Sequence, residues 1–126
     1  MKTVLIVDDE RNMRTFIKRL LLKMGEFKIL EANNGESALD TIQDYRRSET
    51  IDLIISDWNM PGLSGLDLLK KVRSDPTTSR IKFIMVTGYA TKHDVLEAIE
   101  EKVTHYIVKP FNSQDFEIII NQLLAH

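Results

Sequence analysis

Ile51-Asp52-Leu53-Ile54-Ile55-Ser56-Asp57-Trp58-Asn59-Met60-Pro61 is the stretch whose reading decides the fold. Leu53 to Ser56 reads as a buried strand: short, apolar and Ile-rich at its centre. Asp57 arrives where the apolar run stops, and Pro61-Gly62 forces the chain to turn. A carboxylate at the mouth of a strand, with a turn behind it, is a reactive group on a rigid support. Such a placement suits chemistry better than packing.

The pattern repeats on both sides of this stretch. Val4-Leu5-Ile6-Val7 reads as a strand buried on both faces and closed by Asp8-Asp9-Glu10. Met13, Phe16, Ile17, Leu20, Leu21 and Met24 then recur at helical spacing, with Gly25 as the stop. Phe27 to Ala32 is a second strand, and Asn33-Asn34-Gly35 turns into a helix carrying Ala38, Leu39, Ile42 and Tyr45. The polar stretch Arg46 to Thr50 is a loop. Beyond Asp57, Ser64 and Asp67 open a capped helix through Leu66, Leu69 and Val72 to about Ser74, where Asp75-Pro76 ends it. Phe83 to Val86 is a fourth strand, ending in Thr87-Gly88. Thr91 and Asp94 cap a helix through Val95, Leu96 and Ile99. Tyr106-Ile107-Val108 is a fifth strand, ending in Lys109-Pro110. Asn112 caps a last helix whose Phe116, Ile119, Ile120, Leu123 and Leu124 form one apolar face. The Met and Phe stripes read as core.

Five strands alternating with five helices predict an α/β fold: a single doubly wound, five-stranded parallel sheet with helices on both faces. At 126 residues the expectation is one domain, 1–126. Hydrophobic content of 43% and charged content of 29% are ordinary for a globular protein. A net charge of −2 argues against a nucleic-acid or anionic-membrane binder. Without cysteine there is no disulfide framework, thiol nucleophile or thiolate metal site. The first apolar run is too short for a signal peptide or a membrane span, so a cytoplasmic chain is expected.

Four strands end in a functional side chain: Asp8 and Asp9, Asp57, Thr87 and Lys109. In a doubly wound sheet all strand C-termini share one edge, and ligands bind where the strand order reverses. For the order 2-1-3-4-5 that point lies between the strands carrying Asp8, Asp9 and Asp57. Three carboxylates held close repel one another unless a positive charge sits among them. A hard divalent cation such as Mg²⁺ suits an all-oxygen set. One carboxylate can then act as nucleophile toward a phosphoryl group, giving an aspartyl phosphate. Lys109 would neutralise charge on the transferring oxygens and Thr87 would donate to one of them. The set is consistent with phosphoryl transfer. Each residue alone has a plainer reading: an acidic helix start, a turn threonine, a solvated lysine. Their joint placement at strand ends outweighs those readings.

Asp8-Asp9, Asp57, Thr87 and Lys109-Pro110-Phe111 resemble the signature of the receiver domain of two-component response regulators. Ser56-Asp57-Trp58-Asn59-Met60-Pro61 resembles, more narrowly, the stand-alone chemotaxis regulators of the CheY type, whose fold is flavodoxin-like. The resemblance implies that Asp57 is the phosphoacceptor, that Asp9, Asp57 and the Asn59 carbonyl bind Mg²⁺, and that Asp8 acts through water. It implies that Thr87 and Tyr106 form a switch pair, that Lys109 pairs with the phosphoryl oxygens, and that the Lys109-Pro110 bond is cis. A histidine kinase is the implied phosphodonor, which fits the lack of any candidate base or nucleotide loop. Residues Asn59 and Tyr89 fall where side chains tune the phosphoryl lifetime; a phenol at Tyr89 is expected to slow self-dephosphorylation. Lys92, Val95 and Tyr106 match the partner surface of the chemotaxis branch. The implied output is a flagellar motor switch or a phosphatase, with no nucleic acid or membrane partner, and a monomer is expected.

Two departures bear on this. Glu101-Lys102 stands where the family often has Ala-Gly; a left-handed backbone there would cost Lys102 roughly 1–2 kcal/mol. The last helix, from Asn112 on, contains no Lys or Arg, although basic residues are common on the motor-binding surface. A receiver or phosphorelay intermediate outside chemotaxis is therefore the alternative. A haloacid-dehalogenase phosphatase uses similar groups, but its nucleophile lies on the first strand with a second acid two positions later. Adjacent Asp8-Asp9 and a separate Asp57 disfavour it.

Overall fold

The computed structural model describes residues 1–45, 48–88 and 91–124. Ten elements alternate: β1 (Lys2–Val7), α1 (Arg11–Met24), β2 (Phe27–Ala32), α2 (Gly35–Tyr45), β3 (Leu53–Asp57), α3 (Gly65–Ser74), β4 (Lys82–Thr87), α4 (Lys92–Glu100), β5 (His105–Val108) and α5 (Ser113–Leu124). All strands are parallel, in the order β2-β1-β3-β4-β5. The ladders recruit polar flanks that the apolar runs alone did not mark. Lys2 and Thr3 pair with Phe27 and Lys28, and Asp57 pairs with Val86. Arg46 and Arg47, read from the sequence as part of a loop, lie outside the described residues.

The pleat divides each central strand between two cores. Leu5, Val7, Ile54, Phe83 and Met85 meet Ala38 and Ile42 of α2 and Leu66, Leu68, Leu69 and Val72 of α3. Val4, Ile6, Leu53, Ile55, Ile84 and Val86 meet Ile17, Leu20 and Leu21 of α1 and Phe116, Ile120 and Leu124 of α5. Continuous apolar runs are the consequence: a strand with a helix layer on each side has no solvent face to alternate with.

One helix face is settled only by packing, and one sequence reading needs correction. In α4 the buried residue is Ala98, while Leu96 and Ile99 are 51% and 56% exposed. At 100° per residue Val95 and Ala98 share one face, and Leu96 and Ile99 share the next one round, away from the sheet. Phe16 is 39% exposed rather than core; its ring meets Phe111 at 5.7 Å between centroids on the outer side of α1.

Caps behave as their sequences predict. Ser64 and Thr91 each form a reciprocal capping box with the aspartate three residues on. Asn34 accepts from the Ser37 amide at 2.7 Å, and Asn112 from the Asp115 amide at 2.8 Å.

Two backbone positions are tight, one at Gly65 that no sequence pattern reveals and one at Lys102, where the departure from Ala-Gly raises the question of a left-handed backbone. Gly65 opens α3 so close to β3 that a Cβ there would lie 2.2 Å from the Asp57 carbonyl oxygen and 2.8 Å from the Met85 sulfur. Lys102, just past α4, has φ 63°, the left-handed conformation that disfavours a side chain. Its amide donates to the Ile99 carbonyl at 3.0 Å, and the next amide, of Val103, donates to Ala98 at 3.0 Å. These are the bonds that close a helix C-terminus.

Two substitutions follow. Gly65→Ala gains about 1 kcal/mol of helix propensity but meets backbone, and urea unfolding is expected to show a net loss of about 1–3 kcal/mol. Lys102→Gly relieves the left-handed cost less the entropy of glycine, and should gain about 0.5–1 kcal/mol in the same assay. A neutral Gly65→Ala, or a destabilising Lys102→Gly, would contradict these packing assignments.

Candidate functional site

The site lies at the C-terminal edge of the sheet, at the switch point between β1 and β3. Asp8 follows β1 and is 1% exposed; Asp57 ends β3 and is 7% exposed; Thr87 ends β4 and is fully buried. Asp9, one residue beyond Asp8, is exposed. Lys109 follows β5, held by its amide donating to the Thr87 carbonyl at 2.7 Å. Its Lys109-Pro110 bond is cis.

The sequence-derived carboxylates converge. Asp8, Asp9 and Asp57 each bring one carboxylate oxygen within 4.8 Å of the others. Lys109 Nζ lies 3.4 Å from Asp57 Oδ1 and 3.7 Å from Asp8 Oδ2. A single ammonium thus faces three acids. Asp8 Oδ1 accepts the Glu10 amide at 2.9 Å, whereas Oδ2 is buried with no hydrogen bond among the described residues. A buried carboxylate oxygen left this way is costly unless something positive approaches it.

The electrostatics follow from that shortage. Burial is the main cause that pushes the Asp8 carboxyl up to about 6, with repulsion from Asp57 and Asp9 adding to it. The Glu10 amide and Lys109 oppose the shift. Asp57 is raised as well, by burial first and then by Asp9, against the pull of Lys109.

Loop and neighbour contacts fix these groups. The Trp58 amide donates to Val86 at 2.9 Å and the Gly65 amide to Trp58 at 2.8 Å, so the chain after Asp57 is pinned on both sides. Asn59 sits exposed in this loop. Met85 pairs with Tyr106 and Thr87 with Val108, so Thr87 and Tyr106 leave the same face of the sheet two rungs apart. Tyr106 is half-buried against the core beneath α2 and α3. Lys92 is exposed at the start of α4 and Val95 half-buried one turn on. Tyr89 lies outside the described residues.

Sequence reading missed three supports. Gly65 is one, because its close approach to Asp57 is tertiary; a glycine at the first position of a capped helix was the available signal. Arg14 is another: it donates to the Asp8 carbonyl at 2.8 Å and pairs with Glu31 at 3.2 Å, anchoring the acidic loop to β2. Glu36 is the third. Its carboxylate accepts the Leu63 amide at 3.1 Å, tying α2 to the loop after Asp57. Neither side chain carries a motif signal.

The chain is similar to known proteins over most of its length. The match to the response regulator receiver domain family runs over residues 4–121. The Pseudomonas aeruginosa chemotaxis protein CheY is 40% identical over 88% of this chain and 86% of its own length. The Helicobacter pylori chemotaxis protein CheY1 is 41% identical over 88% and 87%. The solved structure of Vibrio cholerae chemotaxis protein CheY4 superposes with a TM-score of 0.88 at 29% identity, covering 98% of this chain and 99% of that one. The match takes in every strand end that contributes to the acidic cluster, and the chain belongs to the response regulator receiver domain family.

Proposed function

We propose that Asp57 accepts a phosphoryl group from a histidine kinase and that the resulting aspartyl phosphate changes what the protein binds. As a receiver domain the chain is a signalling domain rather than a catalytic enzyme, and the family implies a histidine kinase donor and a downstream target. The observation that carries the reading is the position of Asp57: a buried carboxylate at a strand end, 3.4 Å from Lys109 and flanked by two further acids.

The donor set fits Mg²⁺: three carboxylates gathered within 4.8 Å, one of them with a buried oxygen lacking a hydrogen bond among the described residues. Asp9, Asp57 and the Asn59 carbonyl would hold the ion, with Asp8 through water. When bound, it would neutralise the developing charge on phosphoryl oxygens. Asp57 attacks phosphorus, the bond from phosphorus to the donor imidazole nitrogen breaks, and the leaving nitrogen keeps the electron pair. Lys109 pairs with an oxygen of the new phosphoryl group and Thr87 donates to another, with Tyr106 following on the same sheet face. Attack of water at phosphorus restores the carboxylate, at a rate that Asn59 and Tyr89 tune.

The Trp58-Asn59-Met60-Pro61 run and relatives named as chemotaxis proteins support a chemotaxis role with a flagellar motor switch or a phosphatase as output. Exposed Leu96 and Ile99 beside Lys92 on α4 supply apolar surface for such a partner. One domain spanning 1–126, a monomeric state and a cytoplasmic location complete the proposal; no helix among the described residues is long and apolar enough to cross a membrane.

Two measurements test it. Incubated with acetyl phosphate, the wild type is expected to gain one phosphoryl mass only when Mg²⁺ is present, and Asp57→Asn none. Equal labelling of Asp57→Asn would place the acceptor elsewhere. The second measurement reads Asp8 by stability. Its folded pKa, about 6, lies above the ordinary 3.8, so the folded state binds the extra proton between those values. Stability therefore falls as pH rises from about 4 to about 6, by at most about 3 kcal/mol in the absence of metal. Asp8→Asn should flatten that fall and raise the urea midpoint at pH 7.5, and Mg²⁺ should stabilise the wild type more than the variant. A flat wild-type profile would remove Asp8 from the charged cluster.

A further inference from the structure

Arg73, in the last turn of α3, sits at the opposite edge of the sheet from Asp57. It is half-buried, and among the described residues it makes no ion pair. Its guanidinium instead donates to backbone on two separate loops. Nε reaches the Lys102 carbonyl at 3.0 Å, and Nη1 reaches the carbonyls of Ser79 at 3.1 Å and Ile81 at 2.6 Å. Nη2 lies 3.4 Å from Thr104 Oγ1. Ser79 and Ile81 lead into β4; Lys102 and Thr104 lead into β5.

Thr104 continues the fastening. Its amide donates to the Phe83 carbonyl at 2.9 Å and its hydroxyl accepts the Phe83 amide at 2.8 Å. The β4–β5 ladder is thereby extended one residue before its first rung, Ile84 with His105. Arg73 also holds the carbonyl of Lys102, the residue in left-handed conformation. Strained positions of this kind persist where surrounding contacts over-determine them.

The need for such a clamp lies in β5. It has four residues, it pairs with β4 alone, and it is the edge of the sheet. Five residues past Thr104 the chain delivers Lys109, whose Nζ must meet Asp57 and Asp8. We infer that Arg73 is a positioning residue for the Asp57 site, acting through the Thr104–Phe83 fastening to fix the register of β5 and so the place of Lys109. This inference rests on the proposed role of Asp57. Arginine is required because its planar fork bonds carbonyls of both loops at once; the single nitrogen of a lysine cannot span them.

Arg73→Lys and Arg73→Gln test it by amide exchange, with urea unfolding to separate global from local opening. The Lys109 amide is expected to exchange about tenfold faster in both variants after correction for global stability, while Leu5 and Ile54 in the central strands keep wild-type rates. Adduct formation from acetyl phosphate should slow about five- to tenfold, with the Mg²⁺ concentration for half-maximal rate unchanged. Faster exchange confined to Phe83 and Thr104, or uniform across the sheet, would overturn the inference. So would an unchanged adduct rate in a competent protein. If the wild type itself takes up no phosphoryl group, the reading of Asp57 fails, and exchange at Lys109 still decides whether Arg73 holds β5.

Discussion

Repulsion among Asp8, Asp9 and Asp57 is the constraint on which the rest of the structure depends. The fold gathers three acids within 4.8 Å and sets one ammonium against them. Nothing in the stability of a globular domain asks for this; burial first, and repulsion within the cluster after it, push the Asp8 and Asp57 carboxyls above the ordinary aspartate value. The arrangement is sustained because Asp8 follows and Asp57 ends a strand whose two faces are already packed. The cost at the edge is carried by the cores formed by Leu5, Ile54 and Phe83 on one side and Ile6, Ile55 and Ile84 on the other.

The parallel ladder acts as a ruler for the site. Registers Val7 with Ser56, Asp57 with Val86 and Thr87 with Val108 bring the strand ends level, so residues far apart in sequence become neighbours without any local contact between them. Helices enforce the ruler at particular points. Gly65 lets α3 sit against the Asp57 carbonyl, and Arg73 at the other end of the same helix ties the loops that start β4 and β5. One ten-residue helix thus touches the sheet at both of its edges.

What was legible in the sequence was whatever the chain writes locally. Apolar runs gave the strands, capping residues gave the helix starts, and a polar residue at the close of a strand gave Asp8, Asp57, Thr87 and Lys109. Three-dimensional order was legible only through the rule that doubly wound sheets share a carboxyl edge. The inward face of α4 was not legible, because a nine-residue helix with four apolar positions does not state which pair packs on the sheet. Arg14, Glu36 and Arg73 were invisible for a different reason. The contacts that matter most run to backbone groups on other parts of the chain, and a carbonyl or amide has no side-chain identity to read.

The order of the site residues along the chain has a consequence for synthesis. Asp8, Asp9 and Asp57 leave the ribosome in the first half of the chain, and the neutralising Lys109 comes on the last strand. A nascent sheet of β2, β1 and β3 would hold its acids together with no cation from the chain among them. Their repulsion opposes compaction at that edge until β4 and β5 arrive, so completion of the sheet and neutralisation of the site become one event. A protein released early, before β5, keeps the acids of the site without their ammonium.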